Sequence, residues 1–107
     1  MTMTEPSERR RDLRVLADLD VEIYLDTGNV AAVGRARDMS RSGIYVRTDR
    51  DVQTGTRCRV RIRRQTRPII SSMSLWGEVT RTDTEGLGVA FDGSDRELAA
   101  FVISLFD

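Results

Sequence analysis

The sequence predicts a mainly β domain, an antiparallel barrel or sandwich, followed by one C-terminal helix. Six short segments carry apolar residues at every second position, and tight-turn residues separate the early segments. The C-terminal residues instead repeat their apolar side chains at helical spacing. With 107 residues, the chain has room for one domain and is long enough to bury its own core.

Alternation of apolar and polar residues defines each strand. It begins at Val21, Ile23 and Leu25, and residues 27–29, TGN, then form a turn. The clearest alternation sets Cys58, Val60 and Ile62 between arginines. The six predicted strands are residues 21–25, 30–37, 44–46, 57–63, 75–81 and 87–91.

A helix is predicted after the last strand. Residues 94–97, SDRE, match a capping box, in which Ser94 and Glu97 satisfy each other's backbone amides. We expect its apolar face to pack against the barrel. That face consists of Leu98, Phe101, Val102 and Leu105.

The composition favours a binding protein over an enzyme. The absence of histidine removes the commonest general base and the commonest metal ligand. The single cysteine, Cys58, cannot form an internal disulfide and falls among the apolar positions of its strand, which predicts a buried side chain. Neither a phosphate-binding glycine loop nor a metal-ligand cluster is present, so we expect no metal or cofactor.

The apolar runs of the sequence are short. The N-terminal residues lack the apolar segment of a signal peptide, and no run approaches the length of a membrane span. We therefore expect a cytoplasmic protein that has no membrane partner.

Charge is unevenly distributed although the net charge is zero. All 17 basic residues are arginine. Residues 57–67 hold six arginines and no acid, whereas residues 68–107 hold two arginines and seven acids. We call the six arginines of residues 57–67 the arginine stripe. Local fields should therefore matter more than the total charge.

Two stretches indicate a ligand site. Residues 8–14, ERRRDLR, gather four arginines before the first predicted strand, and residues 38–43, DMSRSG, lie between the second and third. Taken singly, the first is a solvated basic leader. The second is a β-turn in which Gly43 supplies a positive φ.

Taken together, the two stretches resemble the signature of the PilZ domain family. Residues 10–14, RRDLR, fit RxxxR, and residues 38–43 fit [D/N]xSxxG, in the family's order and spacing. WGEV at 76–79 and LGVAF at 87–91 resemble two of its strands, so the resemblance covers about residues 8–106. It implies a six-stranded antiparallel split barrel with a C-terminal α-helix over residues 9–107, after a flexible leader of residues 1–8.

The resemblance also implies a function: a single-domain receptor or adaptor for cyclic di-GMP. On ligand binding its N-terminal arginine segment would change position and signal to a downstream protein. An arginine at position 9, just before the motif, suggests that a stacked pair of ligand molecules is held. The ligand-binding residues implied are Arg9, Arg10, Arg14, Asp38, Ser40 and Gly43.

The chemistry of these residue types agrees with that ligand. Arginine can bind phosphate bidentately or pair with guanine O6 and N7. Asp38 offers an acceptor for the N1–H and N2–H₂ donors of guanine, Ser40 adds a hydroxyl, and Gly43 allows a close approach of the backbone.

Two other interpretations stay open. The arginine stripe could bind nucleic acid on a small β-barrel, although the six aromatic residues, several of them expected in the core, disfavour a stacking surface. Alternatively, the domain could be a PilZ-like interaction module that needs no nucleotide, with the stripe docking an acidic partner.

Overall fold

The computed structural model describes residues 15–16, 19–65 and 70–104. This part of the chain contains seven strands, a 3₁₀ turn at Gly93–Asp95 and helix α1 at Arg96–Ser104. The strands are β1 (Val15–Leu16), β2 (Asp20–Leu25), β3 (Val30–Met39), β4 (Gly43–Arg47), β5 (Arg57–Gln65), β6 (Ile70–Thr82) and β7 (Gly86–Phe91).

Strands β2 to β7 close into an antiparallel barrel. Around the barrel the order is β2, β3, β4, β7, β6 and β5, and β5 returns to pair with β2. The short strand β1 adds to β3, with Val15 opposite Met39 and Leu16 opposite Asp38. The predicted six-stranded barrel with a C-terminal helix is confirmed, and each predicted strand is present. The division into a leader of residues 1–8 and a domain of residues 9–107 stays a prediction.

The barrel interior is filled by the inward half of each alternating strand. In β5, Cys58, Val60 and Ile62 are at most 3% exposed, while the arginines between them point outward. Burying such an aliphatic side chain stabilises the fold by roughly 1.5–3 kcal/mol. Burial also raises the pKa of the Cys58 thiol to about 11, as expected for a cysteine that acts as a small core residue.

Helix α1 turns a different face to the barrel from the one predicted. Ala99 is fully buried, and Ile103, one turn later, packs against the core. Leu98 is 36% exposed and Phe101 is 54% exposed, so the prediction that these two side chains pack on the barrel is wrong. The side chains of Val102 and Leu105, predicted on the same face, lie outside the described residues.

The start of the helix also differs from the predicted capping box. A 3₁₀ turn precedes α1, and its N-cap is Asp92, with φ −60° and ψ 150°, whereas Ser94 lies inside the turn. The carboxylate of Asp95 accepts a 2.6 Å hydrogen bond from the Trp76 amide of β6. The turn is thereby fastened to β6 directly before the helix begins.

Two further features of the described residues bear on function. Their helices are all too short and too polar to cross a bilayer. The same part of the chain has no group of three or more potential metal-ligating side chains.

Candidate functional site

The DMSRSG stretch forms the turn between β3 and β4. The Ser40 amide donates to the Gly43 carbonyl at 2.8 Å, and the Gly43 amide donates back to the Ser40 carbonyl at 3.3 Å. The Ser40 side chain is buried, and its Oγ accepts from the Ser42 amide at 3.2 Å and lies 3.1 Å from Ser42 Oγ. Ser40 therefore fixes the shape of the turn.

Gly43 meets a steric requirement of the barrel. A Cβ at this position would lie 2.5 Å from the carbonyl oxygen of Val89 on β7. Among the described residues the positive-φ glycines are Gly28 and Gly55, so the prediction of a positive φ at Gly43 is wrong. The glycine is needed because β4 and β7 approach too closely for a side chain.

Asp38 lies near the end of β3 and is 8% exposed. Its Oδ2 accepts a 2.8 Å hydrogen bond from Arg37 Nε, and this hydrogen bond raises the pKa of Arg37. The carboxylate at the centre of the motif is therefore held beside an arginine of its own strand.

A row of paired residues crosses four strands on the outside of the barrel. Tyr45 of β4 pairs with Asp38 on one side and with Gly88 of β7 on the other. Gly88 pairs in turn with Arg81 of β6. We call Asp38, Tyr45, Gly88 and Arg81 the cleft row.

Backbone irregularities open the surface along the cleft row. The pairing of β3 shifts at Arg37, and that of β6 shifts at Thr80, so each strand has one bulged residue beside the row. Bulges redirect side chains and are common next to functional sites. At Gly88 a Cβ would lie 3.2 Å from Arg81 Cβ, so the missing side chain leaves the space that Arg81 crosses.

A cleft of about 340 Å³ lies over the row. Of the DMSRSG residues, Asp38, Ser42 and Gly43 line the cleft, and Ser40 does not. The described residues that line it also include three arginines from three different elements and a single carboxylate, Asp38. Such a surplus of positive charge in a concave surface attracts anions. The arginines are Arg37, Arg81 and Arg96.

Tyr45 forms the floor of the cleft. Its ring lies 4.0 Å from the guanidinium carbon of Arg37 and 5.1 Å from that of Arg81. Its hydroxyl donates a 2.6 Å hydrogen bond to Asp83 Oδ1. Burial, followed by this hydrogen bond, raises the pKa of Tyr45. The same bond is the main reason why the pKa of Asp83 falls to about 2.

The N-terminal arginines of the predicted site, Arg9, Arg10 and Arg14, lie outside the described residues. The chain enters the described part at Val15, opposite Met39, one residue from Asp38 and beside the DMSRSG turn. The segment that carries RxxxR therefore continues directly into a strand that pairs with the motif end of β3. Whether its arginines reach the cleft stays a prediction.

The sequence analysis did not assign to the site the charged and aromatic side chains that line the cleft beside the motif, which are Arg37, Tyr45, Arg81 and Arg96. Arg37 was detectable as the neighbour of the motif aspartate. The others come from β4, β6 and α1, and only the strand register and the path of the helix bring them together.

The described side chains of the arginine stripe, Arg57, Arg59, Arg61 and Arg63, lie on another part of the barrel surface, the outside of β5. Arg59 pairs across the strands with Tyr24 on β2 and with Trp76 on β6. Its guanidinium carbon lies 5.3 Å from the Tyr24 ring and 5.9 Å from the Trp76 ring. Arg59 is thus covered by aromatic rings on both sides.

Carboxylates engage two more arginines of the stripe. Arg57 donates two hydrogen bonds to Asp92, at 2.6 and 3.2 Å. Arg61 lies 3.5 Å from Glu22 on β2. These contacts agree with the interpretation of the stripe as the polar outer face of an amphipathic strand.

Comparison with known proteins gives one family and several related folds. The PilZ domain family matches residues 8–105. No curated protein matches the chain in sequence. Because the three solved structures described next are all less than 25% identical to this chain, they support the fold alone.

The PilZ domain of CeSA from a cellulose-synthesizing bacterium is 20% identical, with a TM-score of 0.63, over 89% of this chain and 99% of that one. The Bacillus subtilis inhibitor of motility, MotI/DgrA, is 22% identical, with a TM-score of 0.61, over 90% of this chain and 50% of that one. An uncharacterized Legionella protein is 19% identical, with a TM-score of 0.54, over 89% of this chain and 95% of that one.

Proposed function

Since the chain belongs to the PilZ domain family, a family of cyclic di-GMP receptors, we propose that it binds cyclic di-GMP in the cleft over Asp38, Tyr45, Gly88 and Arg81. A single PilZ domain is typically a receptor domain without catalytic activity. The proposed role is therefore to sense the ligand and to transmit its presence.

The main support for this proposal is that residues of the DMSRSG motif and three arginines line the same cleft. Asp38 and Gly43 line it together with Arg37, Arg81 and Arg96. Cyclic di-GMP has two phosphates and two guanine bases, so it can use both guanidinium donors and a carboxylate acceptor. A well-placed bidentate contact to guanine contributes roughly 1–3 kcal/mol to base discrimination.

The N-terminal arginines complete the proposed site. The pairing of β1 with β3 supports this, because it fixes the chain beside Asp38 directly after Arg14. In this proposal Arg9, Arg10 and Arg14 close over the ligand, and the entropy lost by ordering the segment is repaid by phosphate contacts. The changed position of the segment is then available to a downstream protein.

Titration calorimetry with cyclic di-GMP tests the proposal. We expect the parent to bind, and Arg14→Ala and Asp38→Ala to lose measurable binding, while GMP gives no comparable heat. Arg41→Ala is the matched control, because Arg41 is exposed in the same turn and does not line the cleft. A folded parent that gives no binding would refute the function. Asp38→Ala binding as tightly as the parent would refute the site.

A further inference from the structure

We propose that Asp83 is a positioning residue of the cleft, holding Arg81 and Tyr45 in the arrangement that receives the ligand. This inference rests on the proposed function, because the ligand in question is cyclic di-GMP. Asp83 is not a cleft-lining residue and belongs to neither sequence motif. Its influence would therefore pass through the two side chains that it binds.

The Asp83 carboxylate is itself fixed by the backbone. The turn between β6 and β7 is closed by the Asp83 amide, which donates to the Gly86 carbonyl at 3.0 Å. Asp83 Oδ1 accepts from the backbone amides of Glu85 at 2.9 Å and Gly86 at 3.0 Å. A carboxylate held in this way has little freedom to rotate, and it gives the surrounding donors a rigid anchor.

Both donors that reach this anchor from outside the turn belong to the cleft. The Tyr45 hydroxyl donates to Oδ1 at 2.6 Å, and Arg81 Nε donates to Oδ2 at 3.1 Å. Tyr45 and Arg81 stand on either side of Gly88 in the cleft row. Asp83 therefore spans the gap at Gly88 and ties together the two side chains that border it.

This tie leaves the ligand-binding part of Arg81 available. Asp83 engages Nε, whereas an arginine binds phosphate or guanine with its paired nitrogens, often through the terminal amino groups. The Arg81 guanidinium carbon stays 5.1 Å from the Tyr45 ring, on which Arg37 also lies. Without Asp83 the long Arg81 side chain would sample many rotamers, and ordering it would weaken binding.

A purely electrostatic role and a positioning role of Asp83 predict opposite changes in ligand affinity when its carboxylate is removed. If its carboxylate acted only through its field, removing it would strengthen the binding of an anionic ligand. If it positions Arg81, removing it weakens binding despite the gain in net positive charge. The sign of the change therefore separates the two.

Calorimetry with cyclic di-GMP on three variants measures the direction of this change in affinity. Asp83→Asn should bind a few-fold more weakly than the parent, because the contact that orders the exposed Arg81 side chain is lost. Glu85→Gln removes the same charge from the same turn at an exposed side chain and should bind as tightly as the parent or more tightly. Tyr45→Phe changes no charge and should weaken binding about threefold, which also covers the case that Asp83→Asn does not fold. Asp83→Asn or Tyr45→Phe binding at least as tightly as the parent would overturn the inference.

An NMR measurement on the free protein separates this inference from the proposed function. The Arg81 Nε–H resonance should exchange with solvent more slowly in the parent and in Glu85→Gln than in Asp83→Asn, because Asp83 accepts its hydrogen bond. Equal exchange rates in the parent and in Asp83→Asn would overturn the positioning role even if cyclic di-GMP binds. Slower exchange in a parent that does not bind cyclic di-GMP would refute the ligand and leave the Asp83–Arg81 contact standing.

Discussion

Two faces of this barrel place arginines beside aromatic rings, and they differ in shape. On the outside of β5, Tyr24, Arg59 and Trp76 stand next to one another, so a large side chain occupies each position across three strands. In the cleft row the position between Tyr45 and Arg81 is a glycine, Gly88. Guanidinium groups contact aromatic rings on both faces, but on the second face they also surround a cleft of about 340 Å³.

Arginine density along the sequence is a poor guide to the position of this cleft. The densest arginines of the chain are in residues 57–67, yet Arg57, Arg59 and Arg61 contact nearby carboxylates and aromatic rings. The arginines of the cleft come from residues 37, 81 and 96, which are far apart in sequence. A missing side chain and two bulges, rather than the number of cations, create the concave surface.

Replacing an arginine of the cleft should weaken ligand binding most, whereas replacing an arginine on the outside of β5 should not weaken it. Arg81→Ala should weaken cyclic di-GMP binding about 10- to 100-fold, since hydrogen bonds to charged groups contribute about 1.5–3 kcal/mol. Arg59→Ala removes the same side chain from the other face and should leave the dissociation constant unchanged. Calorimetry measures both. A loss of binding in Arg59→Ala with full binding in Arg81→Ala would reverse the assignment of the two faces.

The next effect concerns the gap in the cleft row. Gly88→Val should lower the affinity for cyclic di-GMP several-fold, because even a Cβ would lie 3.2 Å from Arg81 Cβ and a branched side chain must displace it. Gly93→Ala is the control, since a Cβ there would have open space around it. Equal affinities of Gly88→Val and Gly93→Ala for cyclic di-GMP would show that the absence of a side chain at Gly88 is not needed for ligand binding.

A smaller effect is expected for the ion pair on the other face. Arg57→Ala breaks the two hydrogen bonds to Asp92 and should lower the urea midpoint of unfolding slightly, because the Arg57 side chain is 50% exposed. Its affinity for cyclic di-GMP should equal that of the parent. A weakened affinity with an unchanged midpoint would show that this face takes part in ligand binding.

The smallest effect is a change in acid stability. The hydrogen bond from Tyr45 lowers the pKa of Asp83 from 3.8 to about 2. A carboxyl group with a depressed pKa in the folded protein stabilises it above pH 3.8, and this stabilisation is lost as the pH falls towards 2. Asp83→Asn should therefore lose less stability than the parent between about pH 4 and pH 2, as measured by urea unfolding. Equal losses in the two proteins would show that Asp83 has an ordinary pKa.

The strands and the motif turn could be predicted from sequence because each depends on residues close together in the chain. Cys58, Val60 and Ile62 are buried as their alternation indicates. Ser40 and Gly43 close the turn that the motif indicates. These features follow from local rules of side-chain direction and turn chemistry.

The cleft and the buried face of the helix could not be predicted in this way, because they depend on contacts between segments that are far apart in sequence. The bulges at Arg37 and Thr80 determine which side chains line the cleft. The alternation of apolar and polar residues in the two strands does not predict these bulges. The helix has apolar residues on more than one side, so its periodicity alone did not show that Ala99 and Ile103, rather than Leu98 and Phe101, face the core. The Trp76–Asp95 hydrogen bond, made across 19 residues, holds the turn before the helix to β6 and is likewise invisible to local patterns.

An NMR titration of backbone amides with cyclic di-GMP would locate the ligand on the barrel, which we propose to be over the cleft row. We predict that the amide signals of Gly43 and Gly88 shift with the ligand and saturate at the calorimetric stoichiometry. The signals of Gly28 and Gly55, in turns that do not line the cleft, should stay in place. Saturating shifts confined to β5 and to Trp76, with the Gly43 and Gly88 signals unmoved, would show that the ligand binds on the other face of the barrel.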